Sequence, residues 1–590
     1  MMTRYYRYII IALFGVMFVN CEGFLDTESY TDKNTGNFPT TTDDATQMVS
    51  GVYSCFYPPQ DGVTSTYWLN ALLSSDDCFG GAPYTDRGYQ AINHLLCTNL
   101  NQYQSYWKKS YKGISRANMA LANLDKLENE ALRNQLLGEV HILRAYFYFE
   151  LVQLFENIPL MTTVPETIDE ITNYPLQASP DEIYGIIAYD LKNAIELMPS
   201  NKWDATVTGT GHLTRWAAEG MLARVFLFYT GFYNKENLPL MGDDYTITGS
   251  ISKDDVVKVL EDCIDNSGHD LVEDFRSLWS YTNRATRKDF YLAKDAPEWV
   301  EDGKNKEQVM HIPFKTMSKW FTYESVYNSY RLTLGTRSDF SAGYLVNMFP
   351  MGHGWGAGPV NTKLYEEWKA TEPNDMRRDA SIIDLTTFDA FQFGTGNMME
   401  ETGYWQLKQC PISAVQEKNS DGSIKSCYVT METSGEYDYG AIGSSEWFWA
   451  HGVDLTLIRF ADVLLMHSEL TNTPDGINRV RSRAGLSTVA YSDQTLRNER
   501  RWELAFEGLR WGDVRRWGIA EETLANQIGV SIYNRKQATT MKAQGVGFVE
   551  RYKLTRGFRP LPFDEIELSN GVLKQNPGWD NSTIYNGWVD

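Results

Sequence analysis

Positive charge and cysteine are both scarce in this sequence of 590 residues. The 54 lysine and arginine side chains are outnumbered by 76 aspartates and glutamates, which gives a formal net charge of −22 at pH 7. Because a nucleic-acid partner requires clustered positive charge for its phosphates, this balance argues against one. The seven cysteines are widely spaced and include no CxxC pair, so neither a compact disulfide framework nor a zinc site is indicated.

Six of the cysteines follow residue 21. Export of the chain would permit disulfides. We nevertheless predict that most of the six are buried thiols. The alternative for one pair is a disulfide between Cys410 and Cys427 that bridges a hairpin.

The signatures of common hydrolases are also missing. The chain has neither a GxSxG elbow nor an HExxH zinc helix, and its eight histidines are scattered. A glycosidase needs only two carboxylates held roughly 5 to 10 Å apart across a cleft. The many acidic residues leave that arrangement open, so a helical glycoside hydrolase stays as the enzyme alternative to a binding protein.

Long apolar runs are scarce, and the clearest one covers residues 9–19. It is too short to cross a bilayer as a helix, which takes about 20 apolar residues. It follows Arg4 and Arg7 and ends just before Cys21, which is typical of a secretory signal peptide. We predict a signal peptide at residues 1–20 and lipid attachment at Cys21. The alternative is ordinary signal cleavage nearby, with Cys21 unmodified.

Several stretches have apolar residues at helical spacing. The stretch at residues 180–199 begins with a complete helix start signal, because Ser179 can cap it, Pro180 fits the first turn and Glu182 completes a capping box. Helix pairs joined by loops resemble tetratricopeptide hairpins, so the periodicity predicts a mainly α array of helical hairpins. The predicted helices cover residues 103–130, 131–155, 180–199, 214–230, 454–465, 477–484 and 494–511.

Residues 270–451 differ from this pattern because they are rich in glycine, tyrosine, tryptophan, asparagine and serine. They predict long loops, short helices and a few hairpins, one of them turning at residues 419–422. Loops of this length inside a compact domain usually carry function.

Aromatic residues make up 13% of the chain, with 17 tryptophans and 35 tyrosines. A sugar ring packs its C–H face on such side chains while its hydroxyls bond to nearby polar groups, so aromatic loops favour a glycan site. Two loop regions offer this combination, residues 75–102 and 279–355. For any single aromatic residue, core packing is the alternative role. The candidate ligand-binding residues are Asp76, Tyr84, Arg87, Tyr89, Asn93, Trp299, Trp320, Tyr323, Tyr327 and Trp355.

The segment 499–516 is rich in acidic and basic residues that alternate along the chain. Their helical spacing predicts structural ion pairs rather than an acid–base or phosphate site. The residues expected in this network are Glu499, Glu503, Glu507, Arg500, Arg501 and Arg510, with Arg459, Arg481 and Arg483 as further members.

No cofactor is indicated. Oxygen-rich turns leave structural calcium open, but none has the full EF-hand order. These turns are at Asp61, Asp76–Asp77, Asp243–Asp244 and residues 419–422.

Several segments, in a fixed order along the chain, resemble the SusD/RagB family of outer-membrane nutrient-binding lipoproteins. They are CEGFLD at 21–26, LRAYFYF at 143–149, IPL at 158–160, IRFADVLLM at 458–466, INRVRSRAGL at 477–486, ERRWELAFEGLRWGDVRRW at 499–517, RPLP at 559–562 and QNPGW at 575–579.

This resemblance implies about four tetratricopeptide-like hairpins wrapped by a loop-rich subdomain with few short strands. It implies a tether at residues 21–42 and a single domain at 43–590, made of helical repeats (43–270), a loop-rich ligand-binding insertion (271–451) and C-terminal helical segments (452–590). It also implies a non-enzymatic lipoprotein on the outer-membrane surface that passes a glycan to a SusC-like TonB-dependent transporter. The alternative cargo is a peptide or another nutrient.

Overall fold

A computed structural model of the protein describes residues 38–39, 41–59, 61–165, 175–205, 211–301, 303–314, 327–337, 343–430 and 451–589. The predicted signal peptide and lipid-attachment residue Cys21 lie outside these ranges, as do the candidate residues Trp320 and Tyr323. None of the helices described in these ranges combines the length and apolar composition needed to cross a membrane.

The N-terminal part is a stack of helices, and each of its last four members packs on the helix before it. The longest, α5, packs against α4 and α6, while α7 packs against α6 and α8. The predicted start of one helix is confirmed, because Ser179 and Glu182 form the expected capping box of α6. These helices are α1 (Thr42–Tyr53), α2 (Tyr67–Ser74), α3 (Arg87–Asn93), α4 (Gln104–Asn123), α5 (Glu130–Phe155), α6 (Pro180–Leu197), α7 (Arg215–Tyr233) and α8 (Lys253–Asn266).

Close packing of α4 on α5 depends on a glycine. A Cβ atom at Gly113 of α4 would lie 2.5 Å from the Phe147 ring of α5. Phe147 is 1% exposed, as expected for the centre of such an interface. The C-terminal two-thirds of α5 is buried all round, which is typical of a helix enclosed by neighbours.

The middle of the chain consists of loops, short helices and small sheets, as predicted. The helices are α9 (Ser329–Leu334), α10 (Tyr344–Asn347), α11 (Thr362–Thr371) and α12 (Met376–Ser381). Apolar residues of this part form a core cluster of their own, which includes Phe275, Tyr281, Phe290, Met351 and Leu407.

Each sheet among the described residues has two strands. The predicted hairpin at residues 419–422 is confirmed as the turn between β8 and β9. The pairs are β1 (Leu238–Met241) with β2 (Ile247–Ile251), β3 (Gln308–Ile312) with β10 (Leu455–Arg459), β4 (Thr336–Arg337) with β5 (His353–Gly354), β6 (Ile382–Asp384) with β7 (Tyr404–Gln406), β8 (Ser413–Lys418) with β9 (Ile424–Val429), and β11 (Ser531–Asn534) with β12 (Gln537–Thr540).

The C-terminal part returns to helices and completes the stack, with α13 packed against α8 and α14. Stacked helices with only short strands confirm the predicted mainly α, tetratricopeptide-like class. The helices are α13 (Phe460–Thr471), α14 (Asp475–Arg483), α15 (Asp493–Leu504), α16 (Arg510–Arg516), α17 (Ala520–Ala525), α18 (Phe548–Thr555) and α19 (Phe563–Leu568).

Three predictions in detail are wrong. Residues 455–459 are strand β10 rather than the start of a helix, because they pair with β3. The helix predicted at 494–511 ends at Leu504, and the chain turns through Gly508 with φ +73° before α16 begins. The Cys410–Cys427 bridge does not form, since neither sulfur is part of a disulfide. The prediction of mostly buried thiols is confirmed, because among the six described cysteines only Cys427 is partly exposed.

The predicted ion-pair network is confirmed and lies in the protein interior. Glu503 Oε1 lies 2.9 Å from Arg459 Nη1, and its Oε2 lies 2.9 Å from Arg377 Nη1. Glu507 lies 2.8 Å from Lys408 Nζ. All of these side chains are at most 6% exposed. The network therefore joins α15 to β10 and to the middle part of the chain.

Candidate functional site

The two loop regions predicted from the sequence meet in the structure. The Ala82 amide donates to the Gly356 carbonyl over 2.7 Å, which joins the first region to the end of the second. A third segment also contacts the first, because the Tyr84 amide donates to the Asn397 carbonyl over 3.1 Å. Residues 82–84, 356 and 397 therefore lie together.

Four of the candidate residues are buried parts of the framework. Asp76 pairs with Arg510 over 2.7 Å; burial raises the pKa of Asp76, but Arg501 and Arg510 outweigh this and hold it below its ordinary range. The Asn93 amide is fully buried and donates to the Leu73 carbonyl. The other two buried candidates are Tyr89 and Trp299. Their burial argues against direct contact of these four side chains with a ligand.

The remaining described candidates reach the surface. Tyr84 is 41% exposed and Arg87 is exposed, whereas Tyr327 and Trp355 are partly buried. The Arg337 guanidinium lies 5.3 Å from the centre of the Trp355 ring, an arrangement in which a cation sits over an aromatic face. A hydrogen-bond donor therefore covers one face of the partly exposed Trp355 ring.

A cavity of about 320 Å³, here called the aromatic cavity, opens next to Arg337. Its apolar lining includes Tyr344, Phe391 and Trp405, and its polar lining includes Arg337, Asn347, Gln392, Thr395, Glu401 and Thr402. Rings mixed with amide, hydroxyl and guanidinium groups are what saccharide recognition requires.

Sequence reasoning missed the contribution of residues 391–405 to this cavity. A signal was present, because the sequence FQFGTGN at 391–397 alternates aromatic and glycine residues much as the segment around Trp355 does. Gly394 and Gly396 both have positive φ, so their backbone conformation is one that glycine adopts most easily.

The aromatic cavity contains one acidic side chain, Glu401, whose pKa is raised. Burial raises the pKa of Glu401 to about 8, while the Gly394 amide donates to the carboxylate and opposes the rise. Near neutral pH the side chain is therefore largely protonated and can donate a hydrogen bond. Among the described lining residues it is the one carboxylate, whereas a glycosidase uses a pair.

Replacing Glu401 with glutamine should flatten the pH dependence of stability. The folded pKa of Glu401, about 8, exceeds the ordinary value of 4.5, so the folded state holds more protons than the unfolded state between these values. Stability therefore falls as pH rises through this window, by up to about 1.4 kcal/mol per pH unit for one such group. Urea denaturation at about pH 6 and about pH 8 should show a smaller loss in Glu401→Gln than in the wild type.

The comparison isolates Glu401 because the other carboxyls with a pKa raised to about 8, Glu150 and Glu219, are present in both proteins. Glu567→Gln, at an exposed position of α19, is the matched control and should keep the wild-type pH dependence. Equal losses in Glu401→Gln and the wild type would contradict the assignment.

Within the described ranges, no group of three or more histidine, cysteine, aspartate or glutamate side chains is placed to hold a metal ion. In two of the acidic turns the carboxylate accepts a hydrogen bond from a hydroxyl of the same turn. Asp244 accepts from the Thr246 hydroxyl, and Asp421 accepts from the Ser423 hydroxyl.

Comparison with known proteins identifies the family. A family model described as "Starch-binding associating with outer membrane" matches residues 23–227, and one described as "SusD family" matches residues 285–579, half of the chain. The "SusD-like protein P2" of Formosa agariphila is 22% identical over 580 residues, which cover 92% of this chain and 94% of the relative.

Solved structures share the fold. A "Laminarin binding SusD-like protein" is 23% identical with a TM-score of 0.63, over 91% of this chain and 99% of that protein. Surface glycan-binding protein A from Bacteroides thetaiotaomicron in complex with laminarihexaose is 19% identical with a TM-score of 0.65, over 91% and 100% of the two chains. The family model that matches half of its length shows that the chain belongs to the SusD family.

Proposed function

We propose that this chain is a cell-surface lipoprotein that captures an oligo- or polysaccharide without cleaving it. It then passes the glycan to a SusC-like TonB-dependent transporter in the outer membrane. The observation that carries the glycan-binding part is the aromatic cavity beside the Trp355–Arg337 pair, on a chain of the SusD family.

The chemistry of the cavity supports a sugar ligand. The Trp355 ring, on the part that Arg337 does not cover, offers a surface for the C–H face of a pyranose, and Arg337 can donate to its hydroxyls. Asn347 and Gln392 add amide groups that can both donate and accept. A sugar needs packing on a ring and hydrogen bonds to polar groups at the same time.

The relatives support the same proposal and suggest a first probe. Two structures with this fold are named for laminarin or laminarihexaose, so laminarin oligosaccharides are the natural starting ligand. The family description that mentions the outer membrane, together with Cys21 behind a short apolar run, supports attachment there through a lipid. The transporter partner follows from the family resemblance.

Replacing Trp355 with alanine should weaken oligosaccharide binding about tenfold or more, which is a loss of about 1.4 kcal/mol. The wild type should bind with a Kd between micromolar and millimolar, about −8 to −4 kcal/mol. Calorimetry with laminarihexaose and a panel of other glycans measures both values. Chromatography of the same mixtures should show no shortened product.

Tyr291→Ala is the matched control, because Tyr291 is 67% exposed but belongs neither to the aromatic cavity nor to the Trp355–Arg337 pair beside it. It should leave the affinity unchanged. If no glycan binds while peptides do, the cargo is peptide and the proposal fails. It also fails if Trp355→Ala binds as tightly as the wild type, or if the sugar is cleaved.

A further inference from the structure

We propose that a second cavity binds the anionic group, a carboxylate or a sulfate, of an acidic saccharide. This inference rests on the proposed glycan-binding function and names its substrate class. The cavity, here called the arginine pocket, has a volume of about 380 Å³. Its lining includes Tyr84, Arg87, Asn534, Arg535, Asn586 and Trp588.

The charge of the arginine pocket is opposite to that of the protein as a whole. Two guanidinium groups and no carboxylate line it, whereas the chain carries a formal net charge of −22. Among the residues that the structure describes, neither Arg87 nor Arg535 has an ion-pair partner within 4 Å. A guanidinium matches the paired oxygens of a carboxylate or sulfate, so an anionic ligand would supply the missing partner.

A carboxylate in a neighbouring segment is already engaged. Glu400 lies 3.0 Å from the ring nitrogen Nε2 of His94 and accepts from the Gly81 amide over 3.1 Å. Both Glu400 and His94 are at most 1% exposed. Glu400 therefore has both of its oxygens occupied and does not need Arg87 or Arg535 as a partner.

Arg535 is presented by a rigid and unusual turn. Arg535 and Lys536 form the two-residue turn between β11 and β12, and both have positive φ, +49° and +74°. Such turns favour asparagine and glycine, so two long side chains here carry a conformational cost. The Arg535 amide donates to the Met398 carbonyl over 2.8 Å, which fixes the turn against the neighbouring segment. A ligand contact by Arg535 would explain why the costly residue is present.

Aromatic and amide groups complete the pocket. The Arg535 guanidinium lies 4.6 Å from the centre of the Tyr84 ring, and Tyr84 is 41% exposed. Trp588 is partly exposed, and Asn534 and Asn586 contribute amides. The pocket thus combines rings for a sugar face with two cations for an acidic substituent.

The arginine pocket and the aromatic cavity share one segment. Met399 lines the first, and its neighbour Met398 lines the second. A polymer bound across this segment can therefore contact both cavities. The acidic substituent would select among the glycans that the aromatic cavity accepts.

The test uses a double variant that should not harm folding. Arg87→Gln keeps a polar side chain at an exposed position, and Arg535→Asn places a residue that favours positive φ in the turn. Calorimetry compares an oligogalacturonate, a sulfated carrageenan oligosaccharide and neutral laminarihexaose. We expect the wild type to bind an acidic probe, and the double variant to bind it at least about tenfold more weakly while binding the neutral sugar as before. Added salt should weaken only the acidic interaction.

The control for net charge is Arg284→Gln with Arg556→Gln, which removes two guanidiniums that are 59% and 50% exposed outside the pocket. It should bind the acidic probe as the wild type does. Preference for the galacturonate or for the carrageenan identifies carboxylate or sulfate as the anion. The inference is overturned if neither acidic probe binds, or if the double variant binds them unchanged. If the neutral sugar still binds through Trp355 in that case, the proposed function survives; if no sugar binds, both fail.

Discussion

Replacing Glu503 with glutamine is expected to lower the free energy of unfolding by about 3–5 kcal/mol. Glutamine has nearly the same shape, so the loss comes from charge rather than from a cavity. Burial raises the pKa of Glu503, but Arg483, Arg459, Arg377 and Lys408 outweigh this and hold it well below its ordinary range. Removing the carboxylate leaves these buried cations short of one negative charge, in a place that water does not reach.

Urea denaturation near neutral pH measures this difference. Glu196→Gln is the matched control, because the Glu196–Lys192 pair on α6 is 58% and 48% exposed and should contribute less than about 1 kcal/mol. The loss in free energy of unfolding should therefore be several-fold larger in Glu503→Gln than in Glu196→Gln. A loss in Glu503→Gln no larger than in Glu196→Gln would contradict the role given to the network.

Acid should remove the same stabilisation in the wild type. Since the folded pKa of Glu503 lies below its ordinary value of 4.5, its contribution is fully present above that pH and is lost as pH falls through the folded pKa. This direction is opposite to that of Glu401, whose contribution is lost as pH rises.

The network also marks the limit of what the sequence could predict. Glu503 and Glu507 were identifiable because they recur at helical spacing in the sequence, although the helix itself ends at Leu504. Their partners Arg377 and Lys408 lie far away in the chain, in a part without regular periodicity. Such contacts are set by the fold and have no local signal.

The secondary structure shows the same difference between features with a local sequence signal and features that the fold determines. The start of α6 was predictable because its capping residues, Ser179 and Glu182, act within one turn. Strand β10 was not, because its conformation depends on pairing with β3. The turn after α15 also involves a distant contact, since a Cβ atom at Gly508 would lie 2.8 Å from the Trp68 ring.

For the candidate site, the sequence predicted two loop regions that the fold brings together, but not which of their residues reach the surface. Tyr84 and Asn93 lie in the same region, yet one is 41% exposed and the other is fully buried. Residue type sets only a tendency to be buried, so the distinction needed the three-dimensional contacts. The cavity-lining Phe391 and Gln392 lay outside both predicted regions, although the alternation of aromatic and glycine residues at 391–397 was a local signal for them.

Replacing Cys21 with alanine should release the protein from the membrane or leave it unprocessed. The apolar run at residues 9–19 would direct export, and the thiol of Cys21 would then carry the lipid. Each buried methylene of an acyl chain contributes about 0.8 kcal/mol, and one chain alone gives only marginal binding, so stable attachment requires several chains on this one residue. Loss of the thiol should therefore abolish attachment rather than weaken it.

Fractionation of cells and labelling with radioactive palmitate measure this effect, and a second cysteine provides the control. Cys427 is partly exposed, unlike the other five described cysteines, so Cys427→Ala tests whether an accessible thiol elsewhere can take the lipid. We expect Cys427→Ala to remain labelled and membrane-bound, and Cys21→Ala to lose both properties. A Cys21→Ala protein that still labels and still sediments with membranes would mean that the anchor lies elsewhere, because no other residue next to the predicted signal peptide offers a thiol.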